Sequence, residues 1–331
     1  NRRYNRHHRT QAFECITLHR MVMNRSLFTI LVTILLLAGN VAGVSPTESI
    51  TWIDVVEESW QDSGTLGGIS ISLSNNTTEE SASLDGVDWP TIIEVYTATW
   101  CLNCLQTEAV MENIVDGENT LQAHFHRFIA ETQDPFGAES TDNYWLDRYA
   151  QTSLDAAGGE RLAPTNIFDG ERFHIGTSPT SDSIENDYSI SFNTGSTIDK
   201  SGFSGSLAFS SEEGEEIFIW NISVPDMYSD LEIQPMIYFI EDVGYFPEGG
   251  NGADYYHHIL RDVVKLPAIS GQIPVEHIAA FDGDDLSAVL VFNWFSPEVK
   301  EDNSFAAALP APALSILLPL FGAALLPRRD D

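Results

Sequence analysis

The chain has 331 residues, 43% of them hydrophobic, which leaves room for two domains with real cores, and a formal net charge of −33. Arg2, Arg3, Arg6, Arg9, Arg20, Arg25, Arg328 and Arg329 all lie near the ends, so the stretch between is more acidic still. Such a surface repels phosphate backbones and excludes nucleic acid as a partner, and three cysteines, one of them Cys15 in the basic leader, exclude a disulfide-stapled scaffold.

Residues 1–43 read as a leader and signal peptide: Arg25, an apolar run over 27–38 too short to span a bilayer, then the small residues Val41, Ala42 and Gly43. Residues 44–85 are polar, with a short alternating strand at 69–73 and a loop expected over 75–83. Asn75, Asn76 and Asn221 begin glycosylation sequons.

Residues 86–184 alternate strand and helix, which predicts a mixed α/β layer structure. A buried strand over 91–98 leads directly into Trp100-Cys101-Leu102-Asn103-Cys104, and a helix over 105–115 follows with Leu105, Ala109, Met111 and Ile114 on its apolar face. This puts two cysteines in a first helical turn, where free N–H groups and the helix dipole stabilise a thiolate. With two residues between the sulfurs, Cys101 can attack a disulfide and Cys104 can resolve the product. A strand over 123–129, a helix over 139–152 and a hairpin turning at Asp169-Gly170 complete the unit.

From about 186 the period changes to two: Tyr188/Ile190/Phe192, Phe203/Leu207/Phe209, Ile217/Ile219, Ile237/Phe239 and Leu286/Ala288/Leu290/Phe292/Trp294. Residues 185–303 are therefore expected to form an all-β, sandwich-like domain, in which Glu241-Asp242 pairs with Arg261. Residues 304–331 hold an uncharged stretch with four prolines, closed by Arg328-Arg329, which reads as a membrane span or a sorting signal.

Trp100-Cys101-Leu102-Asn103-Cys104 together with Leu162-Ala163-Pro164-Thr165 resembles the thioredoxin fold. That resemblance implies a cis-proline loop at Pro164 facing the cysteine pair, with Trp100, Ala163, Pro164 and Thr165 as the substrate platform. Asp134-Pro-Phe-Gly137, Ile240-Glu-Asp242 and the run 255–261 are similar to the Omp28-related exported family with its appended β domain. The chain departs from thioredoxins at Val95, where they carry a buried acid; Glu94 falls on the opposite strand face.

The functional expectation is an exported, membrane-anchored thiol–disulfide oxidoreductase acting on extracytoplasmic proteins, with Cys101 and Cys104 catalytic. The alternative is a cell-surface binding or adhesion protein whose disulfide is structural. His124, His126, His174, His257 and His258 are weighed as metal ligands, but with a single cysteine pair beside them no metal and no cofactor is expected.

Overall fold

The computed structural model describes residues 63–74, 76–212 and 215–296. The leader and signal peptide, the polar stretch up to residue 62, Asn75 and the tail over 304–331 lie outside the described residues. Among the described residues, no helix is long and apolar enough to cross a membrane.

In chain order the elements are β1 (Ser63–Leu73), β2 (Glu79–Asp85), β3 (Thr91–Thr97), α1 (Leu102–Val115), β4 (Thr120–His126), α2 (Glu139–Ala157), β5 (Thr165–Phe168), β6 (Arg172–Ile175) and α3 (Ile184–Thr194). There follow β7 (Ser204–Glu212), β8 (Glu215–Ser223), β9 (Glu232–Tyr245), β10 (Tyr255–Lys265), β11 (Ser270–Pro274) and β12 (Leu286–Phe295). An 8-stranded sheet runs β1-β12-β9-β10-β4-β3-β5-β6, and a 4-stranded sheet runs β11-β8-β7-β2. In the large sheet β4 is parallel to β3 and meets β10 in a parallel bridge at Ile259–His124; the other pairings are antiparallel.

The large sheet is covered on both faces, which its central strands record as unbroken apolar runs over 236–240 of β9 and 288–292 of β12. On β9, Ile237 and Phe239 pack towards β7 and β8 of the small sheet, beside Leu207, Phe218 and Trp220. The intervening Met236, Tyr238 and Ile240 pack the other way, with Trp145 and Tyr149 of α2. β12 divides in the same manner, Leu290 and Phe292 to one side, Val289 and Val291 to the other. On β3, Ile93 and Val95 meet Met111 of α1 and Tyr188 of α3, whereas Tyr96 meets the α2 face. Thus α2 closes one face, while α1, α3 and the small sheet share the opposite one.

Several expectations are corrected by this arrangement. No separate sandwich begins at 185. Two sheets do pack face to face, but the inner one is the sheet that carries β3 and β4, and the core under α2 draws residues from both sides of the expected boundary. Residues 184–194 are a helix, not a strand: Ser183 Oγ accepts from the Asn186 N–H at 3.1 Å, and Ile184, Tyr188 and Ser191 are buried at helical spacing. Ile190, 49% exposed, breaks the apparent alternation. The expected loop over 75–83 contains most of β2, whose register against β7 runs from Glu79–Ser210 to Asp85–Ser204.

β4 stops at His126 because Asp142 Oδ2 captures the Phe128 and Ile129 N–H groups, at 3.1 and 2.7 Å, and turns the chain away. The Asp169-Gly170 turn joins β5 to β6 with positive φ at both residues, 48° and 63°. Arg261 Nε lies 3.6 Å from Glu241, while Asp242 faces His258 instead.

Candidate redox site

The strand that ends at Thr97 delivers the chain to α1 through a tight turn, closed by Cys101 N–H donating to Ala98 O at 2.9 Å. Cys101 is the N-cap of α1: its Sγ accepts from the Cys104 N–H at 3.2 Å. This N–H supports negative charge on Sγ when the bond to Cys104 is open. The two sulfurs are joined in a disulfide. Cys101 is 5% exposed and Cys104 fully buried, so the attacking edge is narrow.

Ala163 packs against Ala98, Cys101 and Cys104. The Ala163–Pro164 peptide bond is cis, and Pro164 O accepts from the Gly176 N–H at 2.9 Å. Thr165 opens β5 but is buried, and its hydroxyl turns back to Leu162 O at 2.5 Å. Trp100 is 39% exposed, and its Nε1 donates to Glu131 Oε2 at 3.0 Å. The structure therefore gathers Cys101, Cys104 and Ala163 into one contact, places Pro164 next in line and Trp100 at the rim, and commits Thr165 to its own loop. Burial works against ionisation of Glu131, but the Gln133 and Thr132 N–H groups and the Trp100 indole hold its carboxyl below the usual range.

Sequence reasoning missed the polar frame behind this turn. Asp134 Oδ2 accepts from the Thr99 N–H at 2.9 Å and lies 2.7 Å from His126 Nδ1; Oδ1 accepts from the Phe136 N–H at 3.1 Å. Burial opposes the Asp134 charge, yet His126 and the N–H donors lower its pKa. Thr99 O accepts from the Asn251 N–H at 3.0 Å and the Tyr256 hydroxyl at 3.2 Å. The loop joining β9 to β10 thus clamps the cysteine-bearing turn. Gly249 allows this approach: a Cβ there would run into the Tyr256 hydroxyl. Burial, with Asp134 and Glu108 nearby, pushes Tyr256 up to about 12.

On α1, Glu108 Oε1 accepts from the Thr97 hydroxyl at 2.6 Å. Burial raises the Glu108 pKa, with the Thr97 bond, His126 and His257 opposing. Its spacing from Cys104, one helical turn, was a signal visible in the chain; Asp134 and Tyr256 fall in runs singled out for resemblance alone, which says nothing of their bonds to Thr99.

The remaining histidines disperse. His174 bonds Ser191 Oγ at 2.7 Å; His258 lies 3.7 Å from Glu112 and 3.9 Å from Asp242, and its ring centroid stands 5.5 Å from that of His124. Among the described residues, no three His, Cys, Asp or Glu side chains gather as a metal site.

No protein-family model matches the chain, and no curated protein matches it. Among solved structures it is similar to HBP35 of Porphyromonas gingivalis, at 13% identity and TM-score 0.35, over 61% of this chain and 63% of that one. A protein from Agrobacterium tumefaciens is similar at 11% identity and TM-score 0.35, over 60% of this chain and 77% of that one. The chain thus spans less than two thirds of the length of the HBP35 structure.

Proposed function

We propose that this protein is an exported, membrane-tethered thiol–disulfide oxidoreductase with a thioredoxin-like α/β unit, acting on disulfides of extracytoplasmic proteins. The observation that carries the reading is the Cys101–Cys104 disulfide at the N-terminus of α1, in contact with Ala163 beside Pro164. A helix start lowers a thiol pKa, and a paired sulfur three residues on allows release of a trapped substrate. The order of β3, α1, β4, α2, β5 and β6, with helices on both sheet faces, supports the thioredoxin-like part. The segments at 1–43 and 304–331 support export and tethering by their composition.

The test is Cys101→Ser together with the wild-type reduction potential. In an exchanging enzyme, Cys104→Ser accumulates mixed disulfides through Cys101 and Cys101→Ser abolishes them; the potential lies above about −300 mV. A potential below that value, with no trapped species, sinks the reading.

The second reading is a surface-binding protein with a structural disulfide, and the low exposure of Cys101 favours it. Unchanged partner binding by Cys101→Ser would support that alternative.

A further inference from the structure

Three sequons take no part in the chemistry at the cysteines, and the fold treats them differently. In Asn75-Asn76-Thr77 the hydroxyl is already engaged: Thr77 Oγ1 accepts from the Ser74 N–H at 3.0 Å and lies 3.0 Å from Ser74 Oγ. Asn76 and Thr78 belong to the turn ahead of β2, and the acids Glu79 and Glu80 follow at once. The third sequon, Asn221-Ile222-Ser223, lies within β8.

A strand sends residues two apart to the same side. Phe218, Trp220 and Ile222 face the core between the sheets, which turns Asn221 and Ser223 outward, both exposed. Both halves of the acceptor signal are thus presented together on one surface. Among the described residues, neither side chain has a hydrogen-bond partner.

The surroundings of Asn221 set it apart. It pairs with Ser206 of β7 on one side and Ser270 of β11 on the other, and Ser83 of β2 continues the row beyond Ser206. Along its own strand the outward neighbours are Ser223 and Ile219, the latter 47% exposed. In a chain of net charge −33, these positions carry short or uncharged side chains. Neighbouring strands lie about 4.8 Å apart, so a group joined to Asn221 Nδ2 passes over Ser206 or Ser270. Their hydroxyls can bond those of a sugar, and Ile219 offers an apolar rest for its C–H face.

We propose that Asn221 carries an N-linked glycan on this outer face of the small sheet. The inference rests on the export part of the proposed function and not on the disulfide chemistry. The donor is a lipid-diphosphate-linked oligosaccharide. Asn221 Nδ2 bonds to the anomeric carbon as the carbon–oxygen bond to the diphosphate breaks. The lipid diphosphate leaves with that electron pair, the amide gives up one proton, and nothing is oxidised or reduced.

The experiment recovers the full chain from its own cells after fractionation and maps its peptides by mass spectrometry. The peptide spanning Asn221 should carry added hexose-type mass. Asn221→Gln and Ser223→Ala should each lose it, while Ser223→Thr, which keeps the hydroxyl, should retain it. All three positions changed are on the exposed face, and the unaltered protein alone already decides the main point. Unmodified Asn221 in protein from outside the cell overturns the glycan while leaving export and the oxidoreductase reading intact. Sugar that persists in Asn221→Gln, with the wild-type Asn221 peptide unmodified, overturns it equally. Protein found only inside the cell overturns export and the glycan together.

Discussion

Two carboxylates, one on each side of β3, show what surroundings make of one chemistry. Glu94 lies under α2, fully buried, receiving hydroxyls from Tyr149 and from Tyr238, the latter at 2.8 Å. The Tyr238 hydroxyl also lies 2.6 Å from that of Tyr144, and Arg148 reaches Tyr149 and Thr65, so the network runs from β1 to β9. Glu108, on the other side, has one hydroxyl partner and two histidines nearby. Saturated with partners, a buried carboxylate ties strands together; with a single hydroxyl partner, Glu108 ties only α1 to the end of β3.

The sealed side should break hardest. Glu94→Ala leaves the Tyr149 and Tyr238 hydroxyls without this acceptor and Arg148 without a nearby opposite charge, and should cost about 3–5 kcal/mol in urea unfolding. A loss below about 1 kcal/mol would mean the network is not what joins the strands.

Next comes acid. Burial lowers the His174 pKa to about 4. Unfolding therefore takes up a proton below the unfolded value, so stability holds above pH ~6.5 and falls as pH drops towards 4, by about 3 kcal/mol in total. Denaturant titrations at several pH values should show this slope, and His174→Gln should flatten it. An unchanged slope in the variant assigns the acid sensitivity elsewhere, His124 being the other deeply buried histidine with a depressed pKa.

On the side of the disulfide the structural effects should be smaller and the chemical ones larger. Asp134→Asn weakens the hold on Thr99 and His126, at about 2 kcal/mol for charge-assisted bonds. It should also raise exposure of Cys101, measured as alkylation rate after reduction; an unaltered rate would show that the turn holds itself. Tyr256→Phe removes a hydroxyl whose single proton is shared between Asn251 Oδ1 at 2.8 Å and Thr99 O at 3.2 Å, while the Asn251 N–H still holds Thr99 O, and should cost only about 1 kcal/mol, seen as a small shift in melting temperature.

Much of the site was legible because it is local. The strand, the cysteine spacing and the following helix sit within one stretch, and the Asp169-Gly170 turn announces itself by residue type. The fold beyond it was harder to read for a physical reason. Alternation marks one buried face, so Leu286/Ala288/Leu290/Phe292/Trp294 was found, but Val289 and Val291 on the reverse face signal a second covering layer that no neighbour in sequence supplies. The same limit hid the clamp on Thr99, whose partners Asn251 and Tyr256 are remote along the chain. At 184–194 the cap at Ser183 was the better guide, and apolar alternation the worse.

The bridge between Thr99 and the loop joining β9 to β10 bears on how this molecule can be handled. A fragment ending after β6 would keep both sulfurs and the proline loop yet lose Asn251 and Tyr256, together with the wall formed by Met236, Tyr238 and Leu260. Excising the cysteine-bearing part as a portable cassette should yield aggregation instead of a working miniature.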